Sequence, residues 1–486
     1  MRTPRSAHFP VRLLTGLTLL LAALPVRAAN SMTEQDSSSV SREATAITVY
    51  NDDLALVKER RKVSLKAGLT RLSLREVSAQ LRPETALLRA VSGSPIALLE
   101  QNFDFDLLTP AKLLEKYVGR EVGVIRTHPT SGEERREVAT VLAANGGTVL
   151  RFADRIETGV PGRLAFDQLP ANLRDRPTLS VLFDSQGGEQ ALELSYLTGG
   201  LSWKADYVAN LSGDGKQLDL SGWVTLSNRS GAAYENATLQ LVAGTVNQVR
   251  PQRNFNRLGK SAMAMADATE VSQEALGDVH LYSFERPTTI ADQQTKQLAL
   301  LSASAVPVSR EYLLEGSDWF YREDHGQVGQ KLKPAVFVKF QNKGGQLGKP
   351  LPGGVIRVYA RDSKGAAQFV GEDRIAHTAK NEEIALKLGE AFDITAERRQ
   401  MSFKRIVDKD ARGEKFQGAE VAYRIELRNA KDEAVIVRVQ ETLPGDWTML
   451  GESHPHSKES SRLATWNIAL PADGKTVLEY RIKVRW

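Results

Sequence analysis

The feature that most constrains this chain is a two-residue alternation of apolar and polar side chains. It recurs in short runs from Ala46 to the C-terminus, rich in Val, Leu, Ile, Tyr and Thr and broken by Gly, Asn, Asp and Pro. Successive side chains of a strand point to opposite faces, so this period predicts strands with one buried face, and the breaks predict turns. One short stretch departs from it. Pro110 to Tyr117 is amphipathic at helical spacing, with Thr109 placed to cap it and Pro110 in its first turn. The predicted fold class is mainly β, with several β-sandwich, immunoglobulin-like modules and a small SH3-like barrel insertion.

The punctuation predicts an order of modules. Residues 46–108 form an N-terminal β module, in which Asn51 to Asp53 and Lys66 to Gly68 make turns. Residues 109–160 hold strands so closely spaced (VGREVGVIRT, EVATVLAAN, TVLRFADRIET) that a small barrel is expected. Residues 161–333 form a central β-sandwich, and 334–486 a C-terminal β-sandwich region containing the expected hairpin YRIELRNAKDEAVIVRVQETLP. Within the central part, Trp203, Tyr207, Trp223 and Thr225 are expected to pack between two sheets. From Pro251 to Leu276 the alternation gives way to small and polar residues with scattered Met, which predicts a mobile loop.

The first 45 residues follow another logic. Arg2, Arg5 and Arg12 precede an apolar run from Leu17 to Leu24, then Pro25 and the small residues Val26 and Ala28. That pattern predicts a secretory signal peptide over residues 1–28, cut after Ala28 or after Ala29. The run is far shorter than the ~20 residues a spanning helix needs, and no later run approaches that length. Residues 29–45, polar and Ser-rich, are expected to be a flexible tail.

Removing the signal takes away four arginines and no acid, so the formal charge of +5 falls to +1. No clustered basic module is left to point to nucleic acid. The chain has no cysteine, which excludes disulfide staples and a lipid-anchored N-terminus, so buried apolar cores must supply the stability. The remaining length of about 455 residues suffices for three or four such cores.

The most specific residues lie in the central part: YLTGGLSWKADY, then SGWVTLSNRSG with YENATLQLVAG, and later LYSFERPTTIADQQTKQLALL. Together these resemble the bacterial proteins grouped as domain-of-unknown-function family 4139, from about Ala46 to Trp486. The resemblance extends to mucoidy-inhibitor-like relatives, in which a long coiled coil separates the N-terminal and C-terminal β parts. This chain has the small barrel candidate in that place, so roles tied to the coil do not transfer to it.

Chemistry is sparse. There is no Gly-rich phosphate loop, no His-Glu-x-x-His helix and no Gly-x-Ser-x-Gly turn, and no cofactor is implied. The Gly-Gly pairs starting at 146, 187, 199, 344 and 353 read as turns between strands. Among the acids, Asp104 and Asp106 would share a face if extended, as a glycoside hydrolase pair could; Glu382, Glu383, Asp408 and Asp410 are further acids. One metal candidate stands out. Glu452, His454 and His456 alternate in GESHPHSKE, and an extended backbone would project a carboxylate and two imidazoles to one side.

These features predict an exported envelope protein, periplasmic or extracellular. It is expected to be a non-catalytic multi-module β scaffold or binding protein for an envelope protein or polysaccharide, with no nucleic acid partner. The alternative is a hydrolase acting on envelope carbohydrate or peptide.

Overall fold

The computed structural model describes residues 33–486, apart from 93–94, 161, 171–172, 245, 249–270, 277–278, 327–328 and 410–414. The expected signal peptide and most of the expected 251–276 loop lie outside the described residues. The chain is mainly β, and the strands of the described residues are arranged in two ten-stranded and two five-stranded sheets. No helix among the described residues is long and apolar enough to cross a membrane.

The first ten-stranded sheet is organised by two long strands, Leu54–Arg75 and Thr178–Thr198, paired antiparallel over almost their whole length. Arg42–Tyr50 joins the first of them, and Tyr234–Ala243 adds to Arg42–Tyr50 in parallel, followed by Val279–Phe284 and Val271–Leu276. Leu87–Ser92 and Ala97–Asp104 share the other edge of Thr178–Thr198. The expected boundaries between 46–108 and 161–333 therefore fall between strands of one sheet. Chain order misled because the small insertion separates in sequence two strands that are neighbours in space.

The second ten-stranded sheet serves two sandwiches. Its first part carries Leu201–Leu211, Gln217–Asn228 and Gly354–Arg361, whose Trp203, Tyr207, Val224 and Ile356 pack against Val57, Leu72, Val181 and Tyr196 of the first sheet. Its last part carries Val435–Thr442 and Leu463–Leu470. These face a five-stranded sheet of Gln330–Leu332, Ile394–Lys409, Lys415–Asn429, Lys475–Arg485 and Asp446–Glu452. One strand, Gln294–Glu315, runs through both parts: it pairs with Gln217–Asn228 as far as Pro307, then with Ala335–Gln341 and Val435–Thr442. The expected division at 334 is not a core boundary, since Val338, Phe340, Ile384 and Leu386 belong to the first core.

The expected small barrel is a separate five-stranded antiparallel sheet, ordered Arg163–Ala165, Glu121–Thr127, Glu134–Ala143, Val149–Arg151, Ile156–Thr158. Tyr117, Val122, Val124, Ala139, Val141, Leu150 and Phe152 give it a core of its own. The helix Pro110–Lys116 precedes it as expected, with the Thr109 hydroxyl accepting from the Lys112 N–H at 3.2 Å.

Several local expectations are corrected. The 29–45 tail is structured from Thr33: Thr33–Ser37 pairs in parallel with Thr70 to Leu74. Polar composition hid the cause, a buried arginine that needs acceptors. Arg61, 1% exposed, donates to Glu59, to the Ser37 carbonyl at 2.6 Å and to the Arg75 carbonyl at 2.9 Å. Lys66 to Gly68 is no turn, because Leu54–Arg75 continues through it; Gly68 (φ 94°) and Gly187 (φ 81°) take positive φ within the two long strands, whose register is the same on either side. Gly187–Gly188 thus lies inside a strand, against the expectation of a turn. Of the expected 251–276 loop, Val271–Leu276 is a strand paired with Val279–Phe284. The expected hairpin of 423–442 is a crossover, since Lys415–Asn429 and Val435–Thr442 lie in different sheets.

Trp203 and Tyr207 are buried as expected, but Trp223 is 40% exposed and Thr225 half-buried. The inward phase of Gln217–Asn228 is Leu218, Leu220, Gly222, Val224 and Leu226, so Trp223 faces out. Gly222 fills the inward position because an added Cβ would press on Leu301 and Tyr207.

Candidate functional site

In a sheet whose inward positions are apolar, an inward charge needs a partner from the facing sheet. The C-terminal sandwich has such a pair. On Ile394–Lys409 the inward phase runs Ile394, Ala396, Arg398, Gln400; on Val435–Thr442 it runs Val437, Val439, Glu441. Arg398 and Glu441 meet across the core, 3% and 0% exposed, with Arg398 Nη2 donating to Glu441 Oε1. The Tyr321 hydroxyl donates to Glu441 Oε2 at 2.8 Å and lies 2.8 Å from the Tyr480 hydroxyl. Gly316 leaves room for the carboxylate, which an added Cβ would strike.

The strand register sets the surroundings. Gln400 pairs with Tyr423, Tyr423 with Tyr480, and Tyr480 with Glu452, so these four residues form one row across four strands. The short helix Asp318–Tyr321 lays Trp319, Phe320 and Tyr321 over one end of the row. Gln400 fixes that segment, accepting from the His325 N–H at 2.7 Å and donating to the Glu323 carbonyl at 3.1 Å. The Tyr423 hydroxyl donates to the Phe320 carbonyl at 2.6 Å. At the other end Trp466 stacks on Tyr480, with ring centroids 4.9 Å apart.

Burial pushes the Glu441 carboxyl above its ordinary range, with Arg398 and the Tyr321 hydroxyl pulling it back. Burial also pushes the Tyr321, Tyr423 and Tyr480 phenols up, so all three keep their protons and act as donors. A cavity of about 320 Å³ opens beside Arg398, walled by Trp319, Phe320, His325, Gln400 and Tyr423. A second, of about 500 Å³, lies by Tyr423, Tyr480 and Glu452. A groove of about 910 Å³ lies between Ala303–Pro307 and the turn at 343–347, with no buried charge in its walls.

The expected metal trio is only partly assembled. Glu452 and His456 meet, with Nδ1 2.9 Å from Oε2, whereas the His454 ring pairs with the Ser453 hydroxyl at 2.9 Å. The strand ends at Glu452 and the chain bends at Ser453 and His454, so the alternation that would align all three side chains stops there. Trp466 Nε1 also donates to Glu452, at 3.0 Å. Among the described residues no three His, Cys, Asp or Glu side chains are grouped to hold a metal ion.

The expected acid pair is spent on ion pairs. Asp104 accepts from Arg174 at 3.2 Å and from the Ser180 hydroxyl at 3.0 Å. Asp106 lies 2.7 Å from the Lys116 ammonium, whose hydrogen bond lowers its pKa. Glu382 accepts from the Ala379 N–H and Glu383 from the Gln341 amide. Asp410 lies outside the described residues, as does the side chain of Asp408. Residue type alone does not point to the Arg398–Glu441 pair. Its one signal was a charge at an inward position on each of two alternating strands.

No curated protein matches the chain. A family model described as a domain of unknown function (DUF4139) matches residues 192–486, which takes in the whole C-terminal sandwich and the Arg398–Glu441 cluster. This match covers more than half of the sequence, and the chain belongs to that family.

Proposed function

We propose that this is an exported protein of the cell envelope, periplasmic or extracellular, which serves as a non-catalytic β scaffold and binds an envelope protein or polysaccharide. The observation that carries the reading is the continuous strand Gln294–Glu315, which belongs to both sandwiches and ties their cores through one sheet. A shared strand fixes the two modules against each other, as a scaffold requires and a hinged catalytic cleft does not. The hydrolase alternative draws no support from Asp104 and Asp106, which are both held in ion pairs, and the Lys116 hydrogen bond lowers the pKa of Asp106 where a general acid needs it raised. Export is supported by the arginine-flanked apolar run of residues 1–28.

Two measurements test the reading. Mass spectrometry of the protein recovered from the envelope fraction should give an N-terminus at Ala29 or Asn30; an intact Met1 refutes export. The immobilised mature chain should retain a defined protein or glycan from envelope extract, and that partner should bind again when purified. Cleavage of envelope glycan or peptide by the mature chain would instead establish the hydrolase.

A further inference from the structure

The outer face of the second ten-stranded sheet carries an indole away from any edge. Trp223 lies on Gln217–Asn228, with Leu201–Leu211 on one side and Gln294–Glu315 on the other. Its register partners there are Asp206 and Ala299. Directly opposed residues of antiparallel strands share a face, and the contacts agree. Thr225, two residues along from Trp223, donates to Asp206 at 2.9 Å and accepts from the Gln297 amide at 3.3 Å. The flanking side chains Ala299, Ser221 and Thr225 are all small. The indole is 40% exposed, and among the described residues it makes no hydrogen bond, no ring contact and no contact with a cation. Trp319 differs: it is 49% exposed, but its ring is packed against Phe320 and His325, with centroids 4.5 and 4.4 Å away.

The surroundings narrow what this ring could hold. Asp206 lies 3.1 Å from the Lys204 ammonium and 3.2 Å from the Arg357 guanidinium, which also reaches Glu372 at 3.2 Å. Two cations therefore meet two carboxylates, and no positive excess is left for a polyanion such as nucleic acid. The small, polar neighbours give no contiguous apolar patch for a lipid. A protein partner closing over the ring would have to strip water from the ion pairs at its margin, which is costly. A pyranose fits without either cost. Its C–H face carries slight positive charge against the negative face of the indole, and the hydroxyls at its rim both donate and accept. Ser221 and Ser302 stand opposite each other in register, about 7 Å along the sheet from Trp223, and offer hydroxyls to that rim.

We propose that the outer face around Trp223 is a platform for a neutral polysaccharide, one pyranose stacking on the indole and its hydroxyls bonding to Ser221, Ser302 and Gln297. The proposal rests on the binding reading above, within which it selects glycan over protein, and it does not depend on export.

Affinity electrophoresis tests it on the chain from Ala29 onward, which keeps every described residue. Native gels would contain dextran, hydroxyethyl cellulose or galactomannan, with dextran sulfate as the charged comparison. At least one of the three neutral polymers should retard the protein more than dextran sulfate does. Trp223→Ser should weaken that retardation roughly tenfold or more, whereas Trp223→Phe, which keeps a flat ring, should retain most of it. Because the ring faces out, both variants should keep the parent's urea midpoint, so lost retardation reports the surface and not the fold. Trp319→Ala, at the other exposed indole, should migrate like the parent. Retardation by none of the neutral polymers, stronger retardation by dextran sulfate, or equal retardation of Trp223→Ser overturns the proposal. If none of the neutral polymers retards the chain while it still captures and rebinds an envelope protein, the platform falls and the broader binding reading stands.

Discussion

Replacing Glu441 with Gln isolates the electrostatic part of the C-terminal core. The amide has nearly the same shape; its oxygen still accepts from Arg398, and its NH2 donates to the Tyr321 hydroxyl, whose proton turns to Tyr480, so packing and most hydrogen bonds survive. What disappears is the negative charge, and Arg398 becomes an uncompensated cation at 3% exposure. Removing one partner of a buried pair costs about 3–5 kcal/mol. At 2–4 °C per kcal/mol for a unit of this size, the melting temperature should fall by roughly 6–20 °C. Trp447 and Trp466 belong to this core and Trp203 to the other, so urea unfolding followed by fluorescence should show the loss in the transition that Trp447 and Trp466 report. The double variant Arg398→Met with Glu441→Leu should recover much of it, since apolar groups of similar volume replace such pairs at little cost or with a gain of about 1–4 kcal/mol. A loss below about 1 kcal/mol for Glu441→Gln would show that water reaches the pair and that the buried-charge argument is wrong.

Two further outcomes follow from placement. Trp203→Ala should cost about 3–5 kcal/mol, as its ring fills the first core and its Nε1 donates to the Val242 carbonyl, whereas Trp223→Ser should stay within about 0.5 kcal/mol because that ring faces out; equal costs by chemical denaturation would refute the assigned phase of the strand. Burial, and then the nearby His280, hold His377 below its ordinary 6.5, and its Nδ1 accepts from the Gly353 N–H at 3.1 Å. The unfolded chain takes up that proton first, so this contribution to stability is full above 6.5 and is lost as pH falls from there towards the folded value. His377→Asn keeps an acceptor without titrating, and urea midpoints at about pH 7.5 and 5.5 should differ less in it than in the parent; an equal difference would remove His377 from the account.

The alternation that identified the strands is a local signal, and it served where structure is local. The Thr109 cap, the strands themselves and the burial of Trp203 and Tyr207 were legible because each rests on residues a few positions apart. Pairing is not local. Nothing within Leu54–Arg75 indicates that its partner lies beyond a whole inserted sheet at Thr178–Thr198, or that Val435–Thr442 leaves Lys415–Asn429 for another layer. Gly68 and Gly187 show the same limit at one residue. Positive φ occurs both at turns and within these strands, and glycine alone does not distinguish them.

Trp223 and Arg398 mark where phase reasoning carries further than residue type. A tryptophan in a strand suggests core and an arginine suggests surface, yet each takes the opposite place here, and both follow from counting by twos from apolar neighbours. Leu220, Val224 and Leu226 set the inward phase that excludes Trp223; Ile394 and Ala396 set the one that includes Arg398. Charge at an inward position is costly, so the strand that faces it should carry the answering group, and Glu441 stands at the inward phase set by Val437 and Val439. The same count places Gln400 inward and in register with Tyr423 and Tyr480, which extends the pair into a polar row through an otherwise apolar sandwich. A row of this kind does not add stability over apolar packing, because each buried group must first be compensated for lost water. It does impose a unique geometry on the strands and on the segment carrying Trp319 and His325.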